Sequence, residues 1–131
     1  MIFGIGIDII EIDRIAASYA RFGERFARRI LGARELERFR LRRARSDKRG
    51  LAFLSTRFAA KEAVAKALGL GMRSPMRWHA VEILNDPSGR PVASVHADSR
   101  RFTERHHLRL HVSLTDERAI AAAYAVAEII E

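Results

Sequence analysis

Apolar residues crowd the first positions of the chain, Ile2-Phe3-Gly4-Ile5-Gly6-Ile7-Asp8-Ile9-Ile10, and their β-branched character predicts a strand with glycines on alternate positions. Such glycines often admit a close backbone neighbour. From Glu11 to Phe22 the period changes. Ile12, Ile15, Ala16, Tyr19 and Ala20 recur at helical spacing, and a second, basic helix is expected over about Ala33 to Arg43. The polar stretch Arg45 to Gly50 reads as a loop. Leu51 to Leu68 contains neither Pro nor Gly and repeats Leu54, Phe58, Ala65 and Leu68 on one face, which predicts a long helix stopped by Gly69 and Gly71. Leu70 to Arg77 reads as a loop. Trp78 to Leu84 and Pro91 to Ala97 are expected to pair as a hairpin around Asn85-Asp86-Pro87-Ser88-Gly89. Asp98 is placed to cap a short helix reaching about His106. Leu108 to Thr115 alternates apolar and polar residues as a half-buried strand does, with Ser113 and Thr115 on its polar face. Ala119 to Ile130 is ambiguous: its alanines favour helix, while its unbroken apolar run also suits a strand buried on both faces.

At 131 residues and 48% hydrophobic, the chain can build one compact core, so a single domain over residues 1–131 is expected. No apolar run approaches the roughly 20 residues of a membrane helix. Acidic Asp8, Glu11 and Asp13 follow the apolar opening at once, unlike a secretory leader, and the cytoplasm is the simplest compartment. The absence of cysteine excludes disulfides, thiolate metal sites and cysteine nucleophiles. Lys and Arg outnumber Asp and Glu by 24 to 16, a net charge of +8 that favours an anionic partner. Much of it lies between Arg21 and Arg49, either as a solvated helix face or as a docking field.

Asp8 is a carboxylate within an apolar strand, costly to bury without a positive partner such as a metal; a strand end or a helix cap would also account for it. In the long helix, Arg57 and Lys61, and separately Glu62 and Lys66, are four apart and share faces. Glu62 with Lys66 has the plain reading of a surface ion pair. Taken together, Asp8 and Glu62 offer hard oxygens, and Arg57, Lys61 and Lys66 offer cations. Magnesium takes one or two protein carboxylates and completes its shell with phosphate oxygens and water, so a pyrophosphate substrate suits this set. Lysines would act as point charges and arginine as a fork.

These residues resemble the holo-[acyl-carrier-protein] synthases, small members of the 4′-phosphopantetheinyl transferase superfamily. Gly4-Ile5-Gly6-Ile7-Asp8-Ile9 with Arg14-Ile15 is similar to the family's N-terminal signature. Arg57-Phe58-Ala59-Ala60-Lys61-Glu62 with Lys66-Ala67 is similar to its central one, at matching separation. His111-Val112-Ser113-Leu114-Thr115 and Asp116-Glu117-Arg118 resemble its C-terminal end, so the likeness covers essentially the whole chain. One departure is Asp116, where many members carry histidine; that histidine's role is not transferable here. His111 is a different position, either a polar lining residue or simply a strand histidine.

The resemblance implies an α+β fold, a single domain with an antiparallel sheet around a long central helix. It implies magnesium on Asp8 and Glu62, coenzyme A as co-substrate, and transfer of phosphopantetheine to an apo-acyl carrier protein serine in fatty acid biosynthesis, releasing 3′,5′-ADP. Lys66 would neutralise developing charge, with Lys61 and Arg57 aiding phosphate binding. Either Glu62 or a water on the magnesium would take the serine proton. Homotrimers with coenzyme A between subunits are implied too, placing Ser113 and Thr115 near the cleft. Gly69, Gly71 and Ser74 are candidates for the nucleotide end, although helix termination and loop solvation explain them equally. An acidic carrier protein would dock on Arg14, Arg21 and Arg28.

Two other classes compete. A nucleic-acid-binding module suits the charge, but aromatic content is only 8% and no recognised binding motif appears, so no nucleic-acid partner is expected. A silent scaffold binding coenzyme A or the carrier protein would have no chemical need for Asp8, Glu62 and Lys66 together.

Overall fold

The computed structural model describes all 131 residues. Strand β1 (Ile2–Glu11) opens the chain and runs directly into helix α1 (Ile12–Phe22). Helices α2 (Glu24–Ile30) and α3 (Ala33–Arg45) follow, then the long helix α4 (Asp47–Leu68). A 3₁₀ turn (Trp78–Ala80) leads into the hairpin β2 (Val81–Asn85) and β3 (Pro91–Val95). Helix α5 (Ala97–Arg105) and two long strands, β4 (Leu108–Glu117) and β5 (Ile120–Ile129), complete the fold. No helix is long and apolar enough to cross a membrane.

The long strands form an antiparallel sheet in the order β1-β5-β4, so the first strand pairs with the last. Alanine resolves the ambiguity of 119–130 in favour of strand. Ala121, Ala123, Ala125 and Ala127 alternate inward and are almost fully buried, a period-2 pattern no helix could produce. Helix α4 lies across this face, its own Ala59, Ala60, Ala63 and Ala67 buried against the sheet's small residues.

Contact is closest at β1. A Cβ added to Gly4 would lie 2.0 Å from the carbonyl oxygen of Ala67, and one added to Gly6 would lie 2.0 Å from that of Ala63. The alternate glycines are therefore a steric requirement: strand backbone and helix backbone touch here with no side chain between them. Alternation puts Asp8 on this same helix-facing side, while Ile5, Ile7 and Ile9 point the other way and stay 57%, 56% and 62% exposed.

Three local expectations need correction. Residues 45–50 are not a loop: Ser46 Oγ accepts from the Arg49 amide at 3.3 Å, a serine N-cap that starts α4 a turn early. Helix α2 was not anticipated, its seven residues being too few to display a period. Asp98 stands in the first turn of α5 and pairs with Arg101, while His96 occupies the cap position without a side-chain bond. Gly69 does end α4, with a left-handed φ of 75°.

Replacing Gly6 by alanine is expected to cost about 2 kcal/mol or more, because neither backbone can yield without moving its whole element. Urea denaturation of Gly6→Ala measures this; an unchanged midpoint would mean that strand and helix are not in backbone contact.

Candidate active site

Two residues beyond Gly6 the strand carries Asp8, and one turn of α4 below the Lys66 contact lies Glu62. Lys66 closes the group: its Nζ donates to the Ile7 carbonyl at 2.9 Å and to Asp8 Oδ1 at 3.3 Å. Glu62 titrates above the ordinary carboxyl range because burial disfavours its charge and Asp8 adds like-charge repulsion, with Lys66 only partly compensating. Residues distant in sequence thus meet in one electrostatically coupled group.

The donor set bears directly on metal choice. No group of three or more His, Asp or Glu side chains in the chain is placed to hold a metal ion, so a cation held here would take two carboxylates from this chain, those of Asp8 and Glu62. Zinc and calcium sites normally draw more of their shell from protein, whereas magnesium keeps positions for phosphate and water. Asp8 and Glu62 fit magnesium.

Lys61 does not join them. Its side chain is fully buried, and Nζ donates to the carbonyls of Ile30 at 2.7 Å and Trp78 at 2.6 Å and to Glu35 Oε1 at 2.6 Å. An ammonium has three donors, and all three are engaged. The expectation that Lys61 contacts phosphate is therefore withdrawn; helical geometry turns it away from Asp8 and into the interior.

Arg57 also faces away from Asp8, towards the β2–β3 hairpin. It donates to the Ile83 carbonyl at 3.1 Å, to Asn85 Oδ1 at 2.8 Å and to Thr56 Oγ1 at 3.3 Å, and lies 4.1 Å above the Phe53 ring. Burial lowers its pKa to about 10, so it stays charged at neutral pH. Three of its five N–H donors are occupied in this way, which fixes the fork. Arg57 lines a cavity of about 250 Å³ with Arg42, Arg49 and Asp116, a concave cationic surface suited to a phosphate.

Ser113 and Thr115 lie opposite Tyr124 and Ala122 on the sheet face turned away from α4, so within one chain they do not approach Asp8. Gly69, Gly71 and Ser74 are exposed in and after the end of α4. Arg14 and Arg21 share one exposed face of α1 at i, i+7, and Arg28 is exposed on α2; none of the three pairs with a carboxylate.

Sequence reasoning missed Glu35 and Glu82. Glu82 takes the place of an N-cap for α3, its Oε2 accepting from the amides of Arg34 at 3.0 Å and Glu35 at 3.3 Å. A Cβ on Gly32 would sit 2.5 Å from that oxygen, so the cap is supplied by another strand. Glu35, three residues after Gly32, had the legible spacing of a capping box.

An antiparallel sheet packed on one long helix, with two carboxylates and a lysine at their contact, is the setting that comparison with known proteins places in a family. The chain belongs to the 4′-phosphopantetheinyl transferase superfamily, which it matches over residues 4–125. It is 54% identical to the holo-[acyl-carrier-protein] synthase of Methylibium petroleiphilum, over 98% of this chain and 97% of that one. Among solved structures, that of the Neisseria meningitidis holo-[acyl-carrier-protein] synthase is 36% identical with a TM-score of 0.88, covering 98% of this chain and 99% of that one. The Bacillus anthracis enzyme, solved in complex with CoA (3′,5′-ADP), is 32% identical with a TM-score of 0.81, covering 98% and 97%.

Glu62→Gln is expected to raise the melting temperature at neutral pH without divalent ions. The sign follows from the direction of the shift. A carboxyl whose native pKa lies above its ordinary 4.5 binds its proton more tightly when folded. Its charge therefore weakens the fold fully above the native pKa and not at all well below 4.5. The advantage of glutamine should fade as pH falls through that window; a lower melting temperature at neutral pH would show Lys66 to be the dominant neighbour.

Proposed function

We propose that this chain is a magnesium-dependent holo-[acyl-carrier-protein] synthase, transferring 4′-phosphopantetheine from coenzyme A to a serine of apo-acyl carrier protein. The coupling of Asp8, Glu62 and Lys66 at the β1–α4 contact carries this reading, together with family membership along nearly the whole chain. The serine oxygen forms a bond to the β-phosphorus of coenzyme A as the bond to the oxygen bridging the two phosphates breaks, and 3′,5′-ADP departs. Magnesium held by Asp8 and Glu62 would supply charge stabilisation on the diphosphate. Lys66, half exposed and held only by Ile7 and Asp8, can turn its ammonium onto the departing oxygens. Either Glu62 or a water on the magnesium would take the serine proton.

The same reading accounts for residues that one chain leaves apart. Ile5, Ile7, Ile9 and Tyr124 form an exposed apolar sheet face, and a homotrimer would bury it. Ser113, Thr115 and the cavity at Arg57 would then complete a neighbour's cleft, with coenzyme A lying between subunits. Its nucleotide end would reach towards Arg42, Arg49 and Arg57, or towards Gly69, Gly71 and Ser74. Arg14, Arg21 and Arg28 offer unpaired guanidinium groups to an acidic carrier protein, giving salt-sensitive encounter.

Incubation with apo-carrier protein, coenzyme A and magnesium should add the mass of one phosphopantetheine arm to the carrier, read by intact mass spectrometry. Asp8→Ala and Glu62→Ala should each lower the rate by at least ~100-fold; transfer surviving in both variants would sink the assignment. Arg14→Glu should raise the KM for carrier protein by about tenfold with little change in that for coenzyme A. Equal changes in the two constants would move docking elsewhere.

A further inference from the structure

Lys61 sits in the middle of the central motif, next to Glu62, yet touches nothing that reacts. Its three acceptors come from three different elements: Ile30 ends α2, Glu35 lies in the first turn of α3, and Trp78 begins the 3₁₀ turn. Glu35 extends the connection. Its Oε1 also accepts from the Gly32 amide at 2.9 Å, and its Oε2 accepts from the Ile83 amide at 2.7 Å, in β2. One ammonium on α4 is thereby joined to α2, α3 and the hairpin through hydrogen bonds that are buried, except for the part-buried one to Trp78.

Such a pair is a poor device for stability alone, since well-packed apolar side chains of similar volume often serve as well or better. Its distinguishing property is direction. On the sheet side α4 rests on Gly4 and Gly6, a backbone contact that sets the distance between helix and strand. Side chains turn by about 100° per residue, which puts Lys61 some 200° round the helix from Ala63, on the side away from β1. Three hydrogen bonds from that far side define a single roll angle. Glu62 is the next residue, so the angle that satisfies Lys61 also decides how squarely Glu62 confronts Asp8.

We propose that the Lys61–Glu35 pair is a positioning device, locking the roll of α4 so that Glu62 and Asp8 share one cation. The inference rests on reading those two carboxylates as the metal pair. Lys61 acts on the reaction only through Glu62; a lysine acting on phosphate directly would behave differently when its partner is changed.

Lys61→Met leaves Glu35 charged and buried, whereas Lys61→Met with Glu35→Gln removes the charge and keeps an acceptor for one of the two amides, Gly32 or Ile83. At a temperature where circular dichroism shows each variant folded, Lys61→Met should weaken manganese binding, titrated by electron paramagnetic resonance, by about 10- to 100-fold. The magnesium concentration for half-maximal transfer should rise in parallel, with the KM for carrier protein unchanged. The double variant strands no charge but still lacks the three bonds from Nζ, so its manganese binding should stay weakened by about tenfold. Should Lys61→Met alone not fold, the double variant carries the test by itself. Manganese binding unchanged within twofold in either folded variant overturns the proposal. A wild-type protein that transfers nothing to carrier protein refutes the proposed function instead, and the manganese titration still reads the positioning.

Discussion

Backbone-to-backbone contact between β1 and α4 is the constraint on which the rest of the molecule depends. Gly4 and Gly6 remove the side chains that would hold the elements apart, and the alanines of α4 and β5 continue the same thin layer across the sheet. Without that layer a sheet and a helix are separated by the thickness of ordinary side chains, and a short aspartate on one could not answer a glutamate on the other. The packing of the smallest residues therefore decides where the most reactive ones meet. This is why a β-rich opening of ten residues bears on chemistry as directly as the helix does.

Charge is divided between two environments with different work. Lys61, Glu35, Glu82 and Arg57 are buried, every one of them hydrogen-bonded, and they join α3, α4 and the hairpin into one frame. Burial pushes the Lys61 ammonium down, and the Glu35 carboxylate opposes that push. Lys66 and the arginines of α1 and α2 stand in solvent, where they can change partners. A rigid set fixes the geometry and a mobile set meets the anions. The same residue type, lysine, appears in both sets within five positions, and only its place around the helix separates the two uses.

Much of this was legible in the amino-acid sequence, and the failures share a cause. The strand at 2–10, the long helix and the hairpin around Pro87 follow from local periodicity, and so did the candidates Asp8, Glu62 and Lys66. Lys61 was misread because its partner Glu35 lies 26 residues away in an arginine-rich stretch that looks uniformly exposed. Nothing local distinguishes an ammonium aimed at phosphate from one aimed at a buried carboxylate. The loop expected at 45–50 failed for a smaller reason: polar residues fill the first turn of a capped helix as readily as they fill a loop, and Ser46 was the signal that separated them. Residues 119–130 needed the partner strands before alanine could be read as strand rather than helix.

The pairing of β1 with β5 has a consequence for how the chain is made. Ile10 lies opposite Ala121, so the inner hydrogen bonds of the first strand wait for the last one. A nascent chain emerging from the ribosome can shape its helices early, but its opening segment has no ladder partner until synthesis has nearly finished. Such non-local closure is slow and leaves Ile5, Ile7 and Ile9 unprotected meanwhile. Asp8 and Glu62 are held together by the finished sheet, so a chain truncated before β5 would carry Asp8, Glu62 and Lys66 without the strand that pairs with β1.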